Sequence, residues 1–228
     1  MDPYILIPAY NEADHISAVV KAASRFLPVL VVDDGSRDET VLLAEAAGAT
    51  VLRQIPNQGK GAALRRGFQY SIEHDAPAVI TLDADGQHDP EEIPLFIEKF
   101  AQQGCDLIIG ERDFHKMPFT RKVANSFGKQ VISWALSRDV PDNQSGYRLI
   151  SKRLMQRMLS SSESGFEFEV EMVAEAIARG YMIAGVPIRT IYADEKSHIR
   201  PLQHIKNFFG IALKARQMLK QAREETNA

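Results

Sequence analysis

Cysteine is nearly absent from this 228-residue chain: Cys105 stands alone. No internal disulfide can form, and a reducing compartment is expected. Long apolar runs are absent too. No stretch approaches the roughly 20 residues that a membrane-spanning helix needs, so a soluble or peripheral protein is expected. The opening Met1-Asp2-Pro3-Tyr4 has no basic segment followed by an apolar run, so no secretory signal is expected there. Internal repeats and low-complexity segments are also missing. Hydrophobic residues make up 45% and charged residues 25%. These are ordinary globular values and exclude disordered, collagen-like and coiled-coil classes. The length suits one large domain or two small ones.

The net charge of −3 hides an uneven split. Residues 1–110 hold 8 Lys/Arg and 17 Asp/Glu, a balance of −9, and residues 111–228 hold a balance of +6. An acidic front half suits a cation, and a basic back half suits an anionic substrate or surface.

Apolar runs and amphipathic stretches alternate along the first 110 residues. Strands are expected at 4–7, 29–32, 50–53, 78–82 and 106–109. Helices are expected at 13–26, 38–47, 60–74 and 90–103. Such alternation implies an α/β fold with a mainly parallel sheet and helices on both faces. Beyond Gly110, amphipathic helices are expected at 119–136 and 202–222, with shorter ones at 151–159 and 168–179 and an extended segment at 183–192. The whole chain is expected to form one domain.

Ligands of parallel α/β sheets bind beyond the carboxyl ends of the strands. Three expected strands end in polar clusters that would meet on one rim. They are Pro8-Ala9-Tyr10-Asn11-Glu12, Asp33-Asp34-Gly35-Ser36 and Asp83-Ala84-Asp85-Gly86-Gln87-His88. Asp83 and Asp85 are either the turn that closes a strand or the oxygen ligands of a hard divalent ion. His88 is a further ligand or an ordinary hydrogen-bonded residue. Asp33 and Asp34 are turn residues, or acceptors for a base or ribose, and Ser36 or Asp38 caps the next helix. Asn57-Gln58-Gly59-Lys60-Gly61 precedes a helix and offers glycines, a helix N-terminus and a lysine to a diphosphate. The other reading is a flexible loop with a surface lysine.

Taken in order, Pro8-Ala9-Tyr10-Asn11-Glu12, Asp33-Asp34-Gly35-Ser36, Asn57-x-Gly59-Lys60-Gly61-Ala62, Asp83-Ala84-Asp85-Gly86-Gln87-His88-x-Pro90 and Gly110-x-Arg112 resemble family 2 glycosyltransferases of the GT-A fold. The similarity is greatest to the dolichyl-phosphate mannose synthase-like and polyprenyl-phosphate branch, and it covers residues 4 to about 200. It implies a Rossmann-like sheet, with residues 1–110 holding the nucleotide-sugar and 111–228 the acceptor. Pro8, Tyr10, Glu12, Asp33, Asp34, Lys60, Asp83, Ala84 and Gln87 would bind a donor such as GDP-mannose or a UDP-sugar. Asp83 and Asp85 would hold Mg2+ or Mn2+. Asp142-x-x-Ser145-Gly146-Tyr147-Arg148 matches the acceptor-side motif. Asp85, Asp142 and Arg148 are the implied catalytic residues. Arg112, Arg121, Ser145, Lys196 and Arg200 are the implied partners of the acceptor phosphate.

A metal and basic groups would neutralise the departing nucleoside diphosphate while the acceptor attacks from the opposite face, inverting the anomeric centre. A phosphate acceptor needs no general base. A hydroxyl acceptor, in envelope polysaccharide or glycolipid synthesis, would need one, and Asp142 is either that base or a turn anchor. The 119–136 and 202–222 helices would lie on an anionic cytoplasmic membrane face, pack on the core, or join two copies as a homodimer. No nucleic-acid partner is expected. A nucleotidyltransferase would carry a Gly-rich basic loop after its first strand, which this chain lacks. A non-catalytic nucleotide-sugar-binding module would not need both aspartates. The absence of a Gln-x-x-Arg-Trp motif argues against a processive synthase.

Overall fold

The strands are β1 (Tyr4–Ala9), β2 (Val29–Asp33), β3 (Thr50–Arg53), β4 (Ala78–Thr81), β5 (Leu107–Arg112), β6 (Arg148–Ser151) and β7 (Ile183–Ile188). The helices are α1 (Ile16–Ala23), α2 (Thr40–Ala46), α3 (Lys60–Glu73), α4 (Ile93–Gln103), α5 (Lys152–Met158) and α6 (Glu167–Ala178). A 3-10 turn at Pro90–Glu92 leads into α4. The computed structural model describes residues 2–113, 126, 130, 131, 133–135, 140, 142, 144–165, 167–189, 213, 216, 217 and 219.

All seven strands join one sheet in the order β3-β2-β1-β4-β6-β5-β7. Only β6 runs antiparallel, between β4 and β5. The mainly parallel α/β sheet expected from the sequence is therefore present, and a strand from beyond residue 110 sits inside it. Side chains alternate across the sheet. Leu6, Leu30, Val32, Val79 and Ile150 face one layer with α3, α5 and α6. Ile5, Ile7, Val29, Val31, Ile80 and Leu149 face the other with α1, α2 and α4. Helices on both faces explain why every residue of β2 is buried.

Two expected boundaries shift for local reasons. Strand β1 continues through Pro8 to Ala9 instead of stopping at Ile7. Ile5 and Ala9 bond to the β2 side, whereas Leu6 bonds to Leu82 on the β4 side. Pro8 shares the Leu6 side, and β4 pairing with β1 ends at Leu6. Its missing N–H therefore falls where no ladder partner remains. Helix α1 starts at Ile16, not Ala13, because the preceding loop is held elsewhere. Asn11 takes φ 55°. The Glu12 N–H donates to Thr40 Oγ1 at 2.8 Å and the Ala13 N–H to Asp38 Oδ2 at 3.1 Å.

From β1 the chain first builds outward to β2 and β3, then returns to place β4 on the other side of β1. Strand order thus reverses between β1 and β4, and the crevice beyond their carboxyl ends is where such sheets bind ligands.

Candidate active site

Loops after β1, β2 and β4 all leave the same rim because these strands are parallel. Tyr10, 44% exposed, stands at this rim. Glu12 starts α1 by accepting the N–H groups of His15 and Ile16 through its carbonyl. The neighbouring loops are tied together. Asn11 N–H donates to Ser36 Oγ at 2.8 Å, and Arg37 N–H donates to Asn11 Oδ1 at 2.9 Å. Asp38, not Ser36, receives the Thr40 N–H that opens α2, at 3.0 Å.

Asp33 and Asp34 are both buried. Asp33 accepts the Ser36 N–H at 3.2 Å, and its Oδ2 lies 3.5 Å from the Arg53 guanidinium. Asp34 accepts from the Gln54 side chain, from Gln58 N–H at 2.8 Å and from Gly59 N–H at 2.7 Å. The two carboxylates thus hold the loops of the β2 and β3 ends in place.

The glycines of the 57–61 loop approach the chain itself. Gly59 has φ +96°, and a Cβ there would lie 2.4 Å from the Ser164 carbonyl oxygen. A Cβ on Gly61 would meet Phe168 at 2.8 Å, and its N–H donates to Ser164 at 2.7 Å. These glycines seat α3 against the 160–165 loop. The helix N-terminus offered to a diphosphate by the sequence therefore already spends the N–H groups of Gln58, Gly59 and Gly61 on protein acceptors.

Lys60, the first residue of α3, points to two carboxylates. Its Nζ lies 2.6 Å from Asp83 Oδ1 and 3.4 Å from Glu169 Oε1. Burial lowers the ammonium's affinity for its proton, but Asp83 and Glu169 outweigh this and raise it above the ordinary lysine value. Burial likewise raises the Asp83 carboxyl. The Lys60 ammonium, through its charge and its hydrogen bond, pulls it back down to about 2.

Two further contacts shape this end of β4. Gly146 passes so close that a Cβ there would lie 2.5 Å from Asp83 Oδ2. Any side chain at that position would fill the carboxylate's place. The Asp83 N–H donates to His88 Nδ1 at 3.1 Å. That bond makes Nδ1 the acceptor and leaves the proton on Nε2. Metal ligation through Nε2 would need the opposite tautomer, so His88 braces the loop and leaves the ligand set. Burial holds its ring below the ordinary histidine range.

Asp85 Oδ1 accepts the Gln87 N–H at 2.9 Å. Ala84 is 3% exposed with its side chain in the core, so only its backbone can face a ligand. Among the described residues no three His, Cys, Asp or Glu side chains gather as a cage. An acidic loop offering Asp83 and Asp85 oxygens fits a hard divalent ion that completes its coordination with phosphate or water, as Mg2+ does.

Asp142, Ser145 and Arg148 are largely internal. Arg112, at the end of β5, grips Asp142 through both carboxylate oxygens, with Nη2 2.8 Å from Oδ1 and Nε on Oδ2. Ser145 is 1% exposed and Asp142 4%. Arg148 is also 1% exposed, and its guanidinium donates to the carbonyls of Ser145 at 2.8 Å and Glu169 at 2.7 Å. Burial pulls Arg148 below the ordinary arginine value, opposed by Glu169, Asp142 and Asp83. The resemblance implies a catalytic role for Arg148; in the structure its side chain lies inside the protein. Arg121, Lys196 and Arg200 lie outside the described residues.

Sequence reasoning missed Glu169. Its signal was present: Glu169, Met172, Val173 and Ala176 lie on one helical face, and all are buried. An acid on such a stripe needs a cation within reach, and Lys60 supplies one. The Ser164 contact with Gly59 and Gly61 had no local signal.

Comparison with known proteins gives concordant findings. The profile of glycosyl transferase family 2 matches residues 4–159. The UDP-N-acetylglucosamine–dolichyl-phosphate N-acetylglucosaminyltransferase of Methanococcus voltae is 31% identical over 218 residues, covering 84% of this chain and 86% of the relative. The polyprenol monophosphomannose synthase of Mycolicibacterium smegmatis is 29% identical over 200 residues, covering 81% and 75%. Glucosyl-3-phosphoglycerate synthase of Mycobacterium tuberculosis, solved with Mn2+, UDP-glucose and phosphoglyceric acid, has the same fold. Its TM-score is 0.74 at 19% identity, covering 95% of this chain and 80% of that one.

Proposed function

The chain belongs to glycosyl transferase family 2, and from that premise we propose that it moves a sugar from a nucleotide-sugar to a polyprenyl phosphate, inverting the anomeric centre. The observation that carries this reading is the meeting of the β1, β2 and β4 ends with the Asp83–Asp85 loop at the point where strand order reverses. The relatives from Methanococcus and Mycolicibacterium, named for dolichyl phosphate and polyprenol, support the acceptor class.

Residues 1–110 would hold the donor. Pro8, Tyr10 and Glu12 would line one wall, and Asp33 and Asp34 would set the loops around the nucleoside. Asp83 and Asp85, with Gln87 beside them, would hold Mg2+ or Mn2+. That ion would supply positive charge to the departing diphosphate. Lys60 would add a second positive charge near the same edge.

The acceptor side, within 111–228, favours phosphate over hydroxyl. Both Asp142 oxygens already accept from Arg112. With both oxygens engaged, neither is placed to take a proton from a hydroxyl, and a phosphate acceptor needs no base. Asp142 would then fix Arg112, and Arg148 would fix the Ser145 turn and α6. Arg112, Arg121, Lys196 and Arg200 are the proposed phosphate partners, with Ser145 shaping the turn between them.

The test is thermal unfolding with Mn2+ and GDP-mannose, UDP-glucose or UDP-N-acetylglucosamine in turn. At about 100 times its dissociation constant, the true donor is expected to raise Tm by about 5–10 °C, and EDTA should remove the rise. A Tm indifferent to every donor would count against the donor site. A rise that survives EDTA would count against the metal.

We also place the protein on the cytoplasmic membrane face. No helix among the described residues is long and apolar enough to cross a membrane. Ala135 and Leu219 are buried in the core, while Trp134 and Leu213 are 58% and 56% exposed. The Arg216 guanidinium lies 4.9 Å from the Trp134 ring centre. An exposed tryptophan beside a cation suits the interface of anionic lipid. The protein is expected to float with phosphatidylglycerol vesicles at low salt and to be released by high salt. Remaining in solution at low salt would rule this out.

A further inference from the structure

We infer that Lys60 is the resident counter-cation of Asp83, and that Glu169 is the carboxylate to which Lys60 turns when a divalent ion takes Asp83. Glu169 is thereby a positioning residue for the metal, and this inference rests on the metal reading given above.

The geometry contains both ends of such a hand-over. Lys60 Nζ is within 2.6 Å of Asp83 Oδ1 and 3.4 Å of Glu169 Oε1. The Asp83 side chain is 31% exposed, toward the crevice, whereas that of Glu169 is 4% exposed, behind it. The Lys60 backbone is anchored on both sides. Gly59 and Gly61 are wedged against Ser164 with no room even for a Cβ. Only the lysine side chain is left to move, and it moves between two oxygens already within reach.

Glu169 is itself held for this purpose. Its main-chain carbonyl accepts from Arg148 Nη1 at 2.7 Å, and the Arg148 charge faces its carboxylate. A divalent ion at Asp83 must displace the ammonium or share the carboxylate with it. With Glu169 present, the displaced ammonium keeps an ion pair. Without it, Lys60 has every reason to stay on Asp83 and oppose the metal.

The experiment titrates Mn2+ against the full chain with UDP or GDP present, reading free Mn2+ by electron paramagnetic resonance. Glu169→Gln is expected to raise the Mn2+ dissociation constant about tenfold, a coupling typical of groups in one charge network. Glu169→Asp, which keeps the charge on a shorter arm, is expected to fall between and provides the reading if Glu169→Gln does not fold. In a Lys60→Met background, Glu169→Gln is expected to change the constant by less than about twofold. An equal loss in both backgrounds would overturn the hand-over, since Glu169 would then act through its field alone. So would an unchanged constant in the presence of Lys60. If the unaltered protein bound no Mn2+, the metal reading would fall and the hand-over with it.

Discussion

Asp85→Ala is expected to lower sugar transfer by about a hundredfold to a thousandfold while leaving Tm within a few degrees of the unaltered protein. The size follows from where charge develops. The bond to the diphosphate breaks as negative charge gathers on the leaving group, and a missing cation is felt most at that moment. The selectivity follows from the structure. Asp85 sits in the loop after β4, and its Oδ1 accepts the Gln87 N–H at 2.9 Å. Loss of that bond costs about 1 kcal/mol. Asp83 is a poorer probe, since its removal strips Lys60 of its nearest carboxylate. The measurement is kcat with Mn2+ and polyprenyl phosphate, beside a melting curve. Unchanged kcat would sink the metal assignment. A large fall in Tm would turn Asp85 into a loop residue.

Much of residues 1–110 was legible in the sequence because its signals are local. Val29–Asp33 is an apolar run closed by Asp-Asp-Gly, and nothing but a buried strand and a turn fits it. Helix α4 begins just after Pro90 and ends at Gly104, whose φ of 60° is the left-handed cap the sequence suggests. The part beyond residue 110 was less legible because it is assembled from distant pieces. Residues 148–151 are a short segment whose antiparallel place between β4 and β5 is set by partners 39 or more positions away. Gly59 and Gly61 carry the same letters whether they face a phosphate or Ser164. Only the packed chain distinguishes the two, and it chooses Ser164. Glu169 looks like one of several acids along α6 until the helix is seen to be buried on that face.

Arg148→Met shows how that assembly is held together. It is expected to destabilise the fold by about 3–5 kcal/mol, the range for removing one partner of a buried charge group. For a chain of this size that lowers Tm by about 10 °C or more. Methionine fills much of the volume, so the loss is electrostatic. The carbonyls of Ser145 and Glu169 lose the guanidinium that satisfies them at 2.8 and 2.7 Å. The carboxylates of Glu169, Asp142 and Asp83 lose a shared positive charge. Arg148→Lys keeps the charge but not the two-armed reach to both carbonyls, and is expected to recover only part of the loss. Thermal unfolding of the three proteins without ligand reads the effect apart from chemistry. If Arg148→Met melted with the unaltered protein yet failed in transfer, Arg148 would belong among the reacting groups. A parallel loss of stability and transfer, partly restored by lysine, would make it a structural residue that joins the Ser145 turn to α6.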